Sequence, residues 1–337
     1  MPTSHVLKHL AVHLLTPLLM CLGMALAYQG AFHQPEPRHL KVAIVGATPE
    51  ARVLAQTVKD RAGDALDVTT VASAGEAREA LADRELVGAF VPDARHPEVL
   101  IAKANSETSA MAAEAVFQAV AAKQGVPLAV TDVKPTGAGD PTGQGIFFLL
   151  VTLSIGSYGS ATVLNAGAAR LSMRMRAGAG LAASFAVSVI GIVTAGPVFG
   201  VVDHAHATVW ALGWLYSAGV VAFGLGLHAF LKQWTTLALM VLFVMLNFTS
   251  SGGIYRPDLQ NGFFGALHSF YTGAGFVEGV RDVLYFGGGI AGRVLTLALW
   301  LAAGALLMVA AAARERRAHA GRQAAVPAAA QAAVAAA

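Results

Sequence analysis

Side chains with the type and spacing to do chemistry are scarce along these 337 residues. Asp203, His204 and His206 form the run DHAH, in which a carboxylate and two imidazoles could hold a metal ion. Three donors that close together in a short loop are better read as a polar cap between helices, so no metal is expected. His13 and His228 could relay protons, yet each lies near the end of an apolar run, where snorkelling is the simpler explanation. The stretch IVGATPEA at 44–51 reads as strand, glycine and helix start, an arrangement that can cradle an anion. It lacks both G-x-G-x-x-G and G-x-x-x-x-G-K-[ST], so an ordinary strand-to-helix turn is expected. Glu278 and Arg281 stand three residues apart, where a helix brings opposite charges together. There is no G-x-S-x-G and no H-E-x-x-H. The single cysteine, Cys21, excludes a disulfide framework or a Cys-based zinc site within one chain. No catalytic set and no cofactor are expected, and the chain is read as a non-enzyme.

The elements that must position these groups are strongly apolar. Hydrophobic residues make up 55% of the chain and charged ones 13%, against about 25% in a soluble domain. Mean hydropathy is +0.59. A bilayer core needs about 20 apolar residues per helix. Runs near that length occupy 10–32, 146–168, 181–202, 209–231, 234–248 and 294–313, the fifth being short. The first run carries a small-x-small pattern at Ala25–Ala27, as a cleaved signal peptide would, but it continues to Phe32 and is read as an uncleaved anchor. Basic residues set the orientation. Lys8, then Arg170, Arg174 and Arg176, then Lys232, then Arg314, Arg316, Arg317 and Arg322 fall on one side, with only Glu315 opposing. The expected fold is therefore a six-helix polytopic protein of the plasma (inner) membrane, both termini cytoplasmic, with residues 33–144 exported. A net charge of +3 is too small to indicate a nucleic-acid partner, whereas membrane lipid is one by composition.

Four segments follow from this: an anchor (1–32), an extracytoplasmic α/β domain (33–144), five helices (145–313) and an Ala-rich cytoplasmic tail (314–337), its end low in complexity and expected to be disordered. Strand patterns (HLKVAIVGA, LDVTTVAS, LVGAFVPD, EVLIAKAN, PLAVTDVKP) alternate with helical ones at 51–62, 74–83 and 109–123. With 15 acidic and 11 basic residues over 33–144, the domain has an ordinary solvated surface. Asn165, Tyr158 and the small residues Ser154, Gly156, Ser157, Gly159 and Ser160 of the second run are read as interhelical packing.

A polar pause, NFTSSGGIYRPDLQNGFF at 247–264, follows the fifth run. Ser250, Gly252 and Gly253 let the chain turn, and Pro257 suits a first helical turn. An apolar face of Leu259, Phe263, Phe264, Leu267 and Phe270 predicts a short amphipathic helix, Gly273–Gly275 a break, and 276–286 a second helix. Residues 250–289 are thus expected to be an outer re-entrant pair, and the sequon NFT (247–249) before it lies too close to the membrane to be modified.

Three stretches then resemble the membrane subunit of type-2 ABC exporters, in the branch of phage-infection-protein-like permeases. They are LADRELVGAFVPD (81–93), DVKPTGAGDPTGQGIFFLLVTLSIG (132–156) and SSGGIYRPDLQNGFFGALHSFYTGAGFVEGVRDVLYFGGG (250–289), the last being the most specific. The likeness runs from the anchor to Ala313. It departs where FYTGAGF (270–276) replaces a proline-containing turn, and in the short loop ARLSMRMRAG. The resemblance implies export of an amphipathic or hydrophobic substrate, energised by a separate cytoplasmic ATPase, by a permease paired with itself. It implies ATPase coupling through Arg170, Arg174 and Arg176, which the positive-inside rule alone would also explain. The re-entrant pair itself reads as a lid over a translocation route, with Asn247, Ser250, Gly252, Gly253, Glu278 and Arg281 at it, or else as a packed cap beneath the exported domain. The alternative expectation is a non-transporting membrane protein whose exported domain binds an envelope component or secreted partner.

Overall fold

The structure is a computed structural model that describes residues 3–167 and 171–335. A long helix α1 (Thr3–Phe32) leads into an α/β domain of five strands, β1 (Leu40–Val45), β2 (Leu66–Val71), β3 (Gly88–Val91), β4 (Glu98–Ile101) and β5 (Ala129–Asp132). Its helices are α2 (Pro49–Ala62), α3 (Ala74–Ala82) and α4 (Glu107–Gln124). Each has a hydroxyl N-cap, Thr48, Ser73 and Ser106 respectively, which accepts a bond from a first-turn amide. The sheet order is β2-β1-β3-β4-β5. β1 runs parallel to β2 and β3, and β4 parallel to β5, but β3 and β4 are antiparallel. That reversal has a simple cause: residues 92–97 are too short to carry a parallel crossover. Helices α2 and α4 bury one face over Val42, Ile44, Phe90 and Ile101, and α3 covers Val45, Ala89 and Leu100 on the other. Burial on both faces explains the unbroken apolar runs of the central strands.

The rest is helical: α5 (Gly145–Gly167), α6 (Met173–Val193, with a π turn to Val198), α7 (His206–Leu231), α8 (Thr235–Met240), α9 (Leu246–Ser250), α10 (Gly262–His268), α11 (Thr272–Arg281) and α12 (Ala291–Ala335). Among the described residues five stretches are long and apolar enough to cross a membrane: Leu14–Phe32, Gly145–Gly167, Met173–Val198, His206–Ser250 and Ala291–Ala318. This is the make-up of a multi-pass membrane protein. The fourth stretch is folded in two at Lys232, whose φ of 49° no continuous helix permits. Tyr216 bonds Asn247, Phe223 meets Phe243, and His228 bonds Thr235, so the partners run in opposite directions and the arms form an antiparallel hairpin. The second arm, 235–250, includes a π turn at Val241–Met245.

α7 occupies the middle, packed by α5, α6 and α12. Gly226 permits close approach, since a Cβ there would lie 2.6 Å from that of Leu307 on α12. Two expectations are corrected. α6 begins at Met173, eight residues before the apolar run at 181, because Ser172 caps it and Met and Arg are good helix formers. Arg174 and Arg176 therefore sit on its first turns, not in a loop, and Arg170 lies outside the described residues. α12 continues through the Ala-rich tail, where low complexity alone predicts disorder, because alanine has the highest helix propensity.

Candidate functional site at the domain junction

The turn after α9 depends on Gly252, whose φ is 74° and whose missing Cβ would lie 2.7 Å from His268 Cε1. Pro257 opens a single 3-10 turn to Leu259, as its position suggests. Asn261 caps α10 by accepting from the Phe264 amide, and its Nδ2 donates to the Gly30 carbonyl of α1 at 3.1 Å. Contrary to the sequence reading, the apolar face at 259–270 does not form one helix, and Gly273–Gly275 is no break. The chain turns instead at 269–271, and these glycines lie within α11, every residue of which is buried. Their small size serves packing: the Gly273 amide donates to Asn247 Oδ1 at 2.7 Å, and Gly275 faces Thr296 of α12.

Glu278 on α11 is 0% exposed and sits at the centre of a charge cluster. Arg281 Nη1 donates to its Oε1 at 2.6 Å, as their spacing predicts. Arg256 Nη1 reaches both carboxylate oxygens, at 3.0 and 3.2 Å. The third guanidinium comes from the α/β domain. Arg84, in the turn after α3 at a φ of 65°, pairs with Glu278 through Nη2 and with Asp282 through Nη1. Its Nε donates to Asn105 Oδ1 at 2.8 Å, and its plane lies over the Phe286 ring, 5.1 Å from the centroid. One side chain thus bridges two carboxylates with the fork geometry peculiar to arginine. Asp282 also receives Arg293 Nε at 3.3 Å. Beside this cluster, Ser109 Oγ donates to Asp258 Oδ1 at 2.8 Å, Thr108 Oγ1 to the Ile254 carbonyl at 2.9 Å, and the Arg38 amide to the Asp258 carbonyl at 2.8 Å.

Burial works to raise the Glu278 pKa, but Arg256, Arg281 and Arg84 together outweigh it and hold the carboxyl well below the usual range. Asp258 shifts the other way, pushed up by burial against the pull of Arg256 and Ser109. His268 is lowered by burial to about 4, so its imidazole is neutral near pH 7; its Nε2 stands 3.8 Å from Glu278 and its Nδ1 bonds the Ser250 carbonyl at 2.9 Å. A carboxylate this firmly ionised is a poor proton acceptor at neutral pH. What the cluster can do is fasten: a set of charges built around a fully buried carboxylate resists loss of any one member.

On its inner side the segment is tied into the helices. Asn247 Nδ2 donates to the Tyr216 hydroxyl at 2.9 Å, and that hydroxyl contacts Ser154 Oγ at 2.6 Å. All three are 0% exposed, so α5, α7, α9 and α11 meet at one polar node. Of the residues singled out for a lid, Asn247, Ser250, Glu278 and Arg281 are buried among protein partners, and Gly252 and Gly253 shape the turn. Arg84, Tyr216 and Ser109 are additions from the structure; only the burial of a tyrosine in an apolar run hints at one of them. At the far end of the bundle Arg176 is buried and ion-paired with Glu315 of α12, while Arg174 is exposed. Asn165 Nδ2 donates to the Gly224 carbonyl at 3.0 Å, joining α5 to α7. In the run DHAH, Asp203 and His204 pair with each other at 2.5 Å, and among the described residues no group of three or more metal-ligating side chains is assembled. Compared with family models, with curated proteins and with solved structures, the chain finds no match.

Proposed function

We propose that this chain is the membrane subunit of an exporter of the type-2 ABC class, moving an amphipathic or hydrophobic substrate out of the cytoplasm with a separate ATPase as its energy source. On this reading the Lys232 hairpin supplies two spans, making six in all. The α/β domain and residues 250–289 lie outside the plasma membrane, and both termini lie inside. The permease pairs with itself. The observation that carries the proposal is the double attachment of residues 250–289. Arg84 binds them to the exported domain, and the Gly273 amide binds them to Asn247 and through it to Tyr216 of the helices, so a shift of the bundle is passed to the domain. Arg174, exposed on the first turn of α6 at the opposite end, is the contact offered to the ATPase, with Arg170 near it in sequence, while Arg176 is buried behind it against Glu315.

The test is to purify the full chain in lipid together with ATPases encoded beside its gene. Copurification and stimulated ATP hydrolysis, reduced by R174A, are expected. If no nucleotide-binding subunit associates or responds, the ABC mechanism fails. One observation favours a second reading, a non-transporting receptor: Glu278 and Arg281 are wholly enclosed and neutralise each other, as in a static cap. That reading expects loss of function on deleting residues 40–135 and full tolerance of Ala at Arg174.

A further inference from the structure

On the face of the α/β domain away from α3, α2 and α4 leave an open groove of about 490 Å³. Its walls are aliphatic, with Leu54, Val58, Leu66, Val116 and Val120 among them, and the volume is in the range of small-molecule sites, about 300–1,000 Å³. The charged side chains of the lining are both cations, Arg61 in the last turn of α2 and Lys123 in the last turn of α4; no carboxylate lines it. Among the described residues neither cation is part of an ion pair. Pro37 also lines the groove, five residues beyond Phe32, where α1 ends, which keeps that wall within about 18 Å of the apolar helix.

We propose that this groove binds a single-chain anionic amphiphile, its acyl chain along the aliphatic walls and its acid head on one of the two cations, Arg61 or Lys123, which the antiparallel α2 and α4 place towards opposite ends of the groove. Apolar walls select the chain, and two cations without a competing carboxylate select the sign of the head. The position beside the end of α1 puts the site where such molecules leave or enter a lipid surface. A carboxylate or a phosphate head satisfies either cation. The site does not depend on the transport reading and stands whether or not an ATPase partner exists.

The full chain in nanodiscs of phosphatidylcholine is labelled with three photoreactive probes sharing one alkyl chain: a fatty acid, a lysophosphatidic acid and a neutral fatty alcohol. Crosslinks from one or both acidic probes are expected within residues 54–66 and 116–124, and which acid labels names the head group. Labelling should fall about tenfold in the double variant Arg61→Ala, Lys123→Ala, whose exposed side chains are not needed for folding. It should be lost in Ala119→Trp, which fills the groove from an exposed lining position. Labelling of the groove by the alcohol equal to that by the acids, acid labelling unchanged in the double variant, or crosslinks confined to the spanning helices would overturn the proposal. So would a peptide or protein copurifying in the groove.

Discussion

At the scale of single residues, Arg84 is the side chain on which the junction turns. Taking one partner out of a buried ion cluster leaves uncompensated charge and costs about 3–5 kcal/mol. Arg84→Ala should therefore lower the unfolding midpoint clearly, and limited proteolysis should cut the α/β domain from the helices more rapidly. Arg84→Lys should recover only part of the loss, because an ammonium cannot fork between Glu278 and Asp282. His268 gives a second expectation. Its pKa is lowered from 6.5 to about 4, so the folded state takes up its proton only at lower pH than the unfolded chain does. Its contribution to stability is complete above about pH 6.5 and declines as pH falls towards 4, by on the order of 3 kcal/mol. Asp258, raised by burial, opposes this trend, so the measurement is the difference between wild type and His268→Gln in melts from pH 7.5 to 4.5. The variant should lose less stability on acidification; parallel curves would mean that His268 is hydrated and ordinary.

At the scale of elements, much of the fold was legible, for local reasons. Apolar runs bounded by turn residues mark the strands, helical patterns between them mark α2 to α4, and the i,i+3 spacing pairs Glu278 with Arg281. What was not legible is non-local. Nothing near Arg84 distinguishes it from any arginine in a turn, because its carboxylates lie 194 and 198 residues away. Hydropathy also misplaces the start of α6, since a helix carrying two arginines is invisible to it. The glycines of α11 were misread because a glycine triplet breaks an isolated helix, whereas this helix is held by its neighbours on all sides. Hence Gly273→Ala should be destabilising by about 1–3 kcal/mol, because its Cβ would strike the Asn247 side chain. Gly159→Ala, on α5 with open space where its Cβ would be, should be neutral or slightly stabilising. Equal effects in denaturant melts would remove the packing role assigned to α11.

At the scale of the whole molecule, the question is whether the junction is a fixed seam or a moving coupling. The buried charges favour a seam under any one condition. Yet such a cluster can be kept intact while the domain and residues 250–289 travel together over the bundle, with the contact of Gly273 on Asn247 as the place that gives. These alternatives separate by where a crosslink does harm. Cys21 is the single cysteine, so a Cys21→Ser chain is a clean background for introduced pairs. Linking position 109 to position 258, where serine and aspartate meet at 2.8 Å, joins domain and segment without freezing either against the helices. Linking position 247 to position 273, where the Gly273 amide meets the Asn247 side chain at 2.7 Å, freezes the segment against the helices. If the unit moves as one, export or coupled ATP hydrolysis should survive the first link and be lost, reversibly with a reductant, on the second. Loss on the first link alone would place the motion between domain and segment, with Arg84 as the contact that breaks. Tolerance of both would make the junction a seam and favour the receptor reading over the exporter.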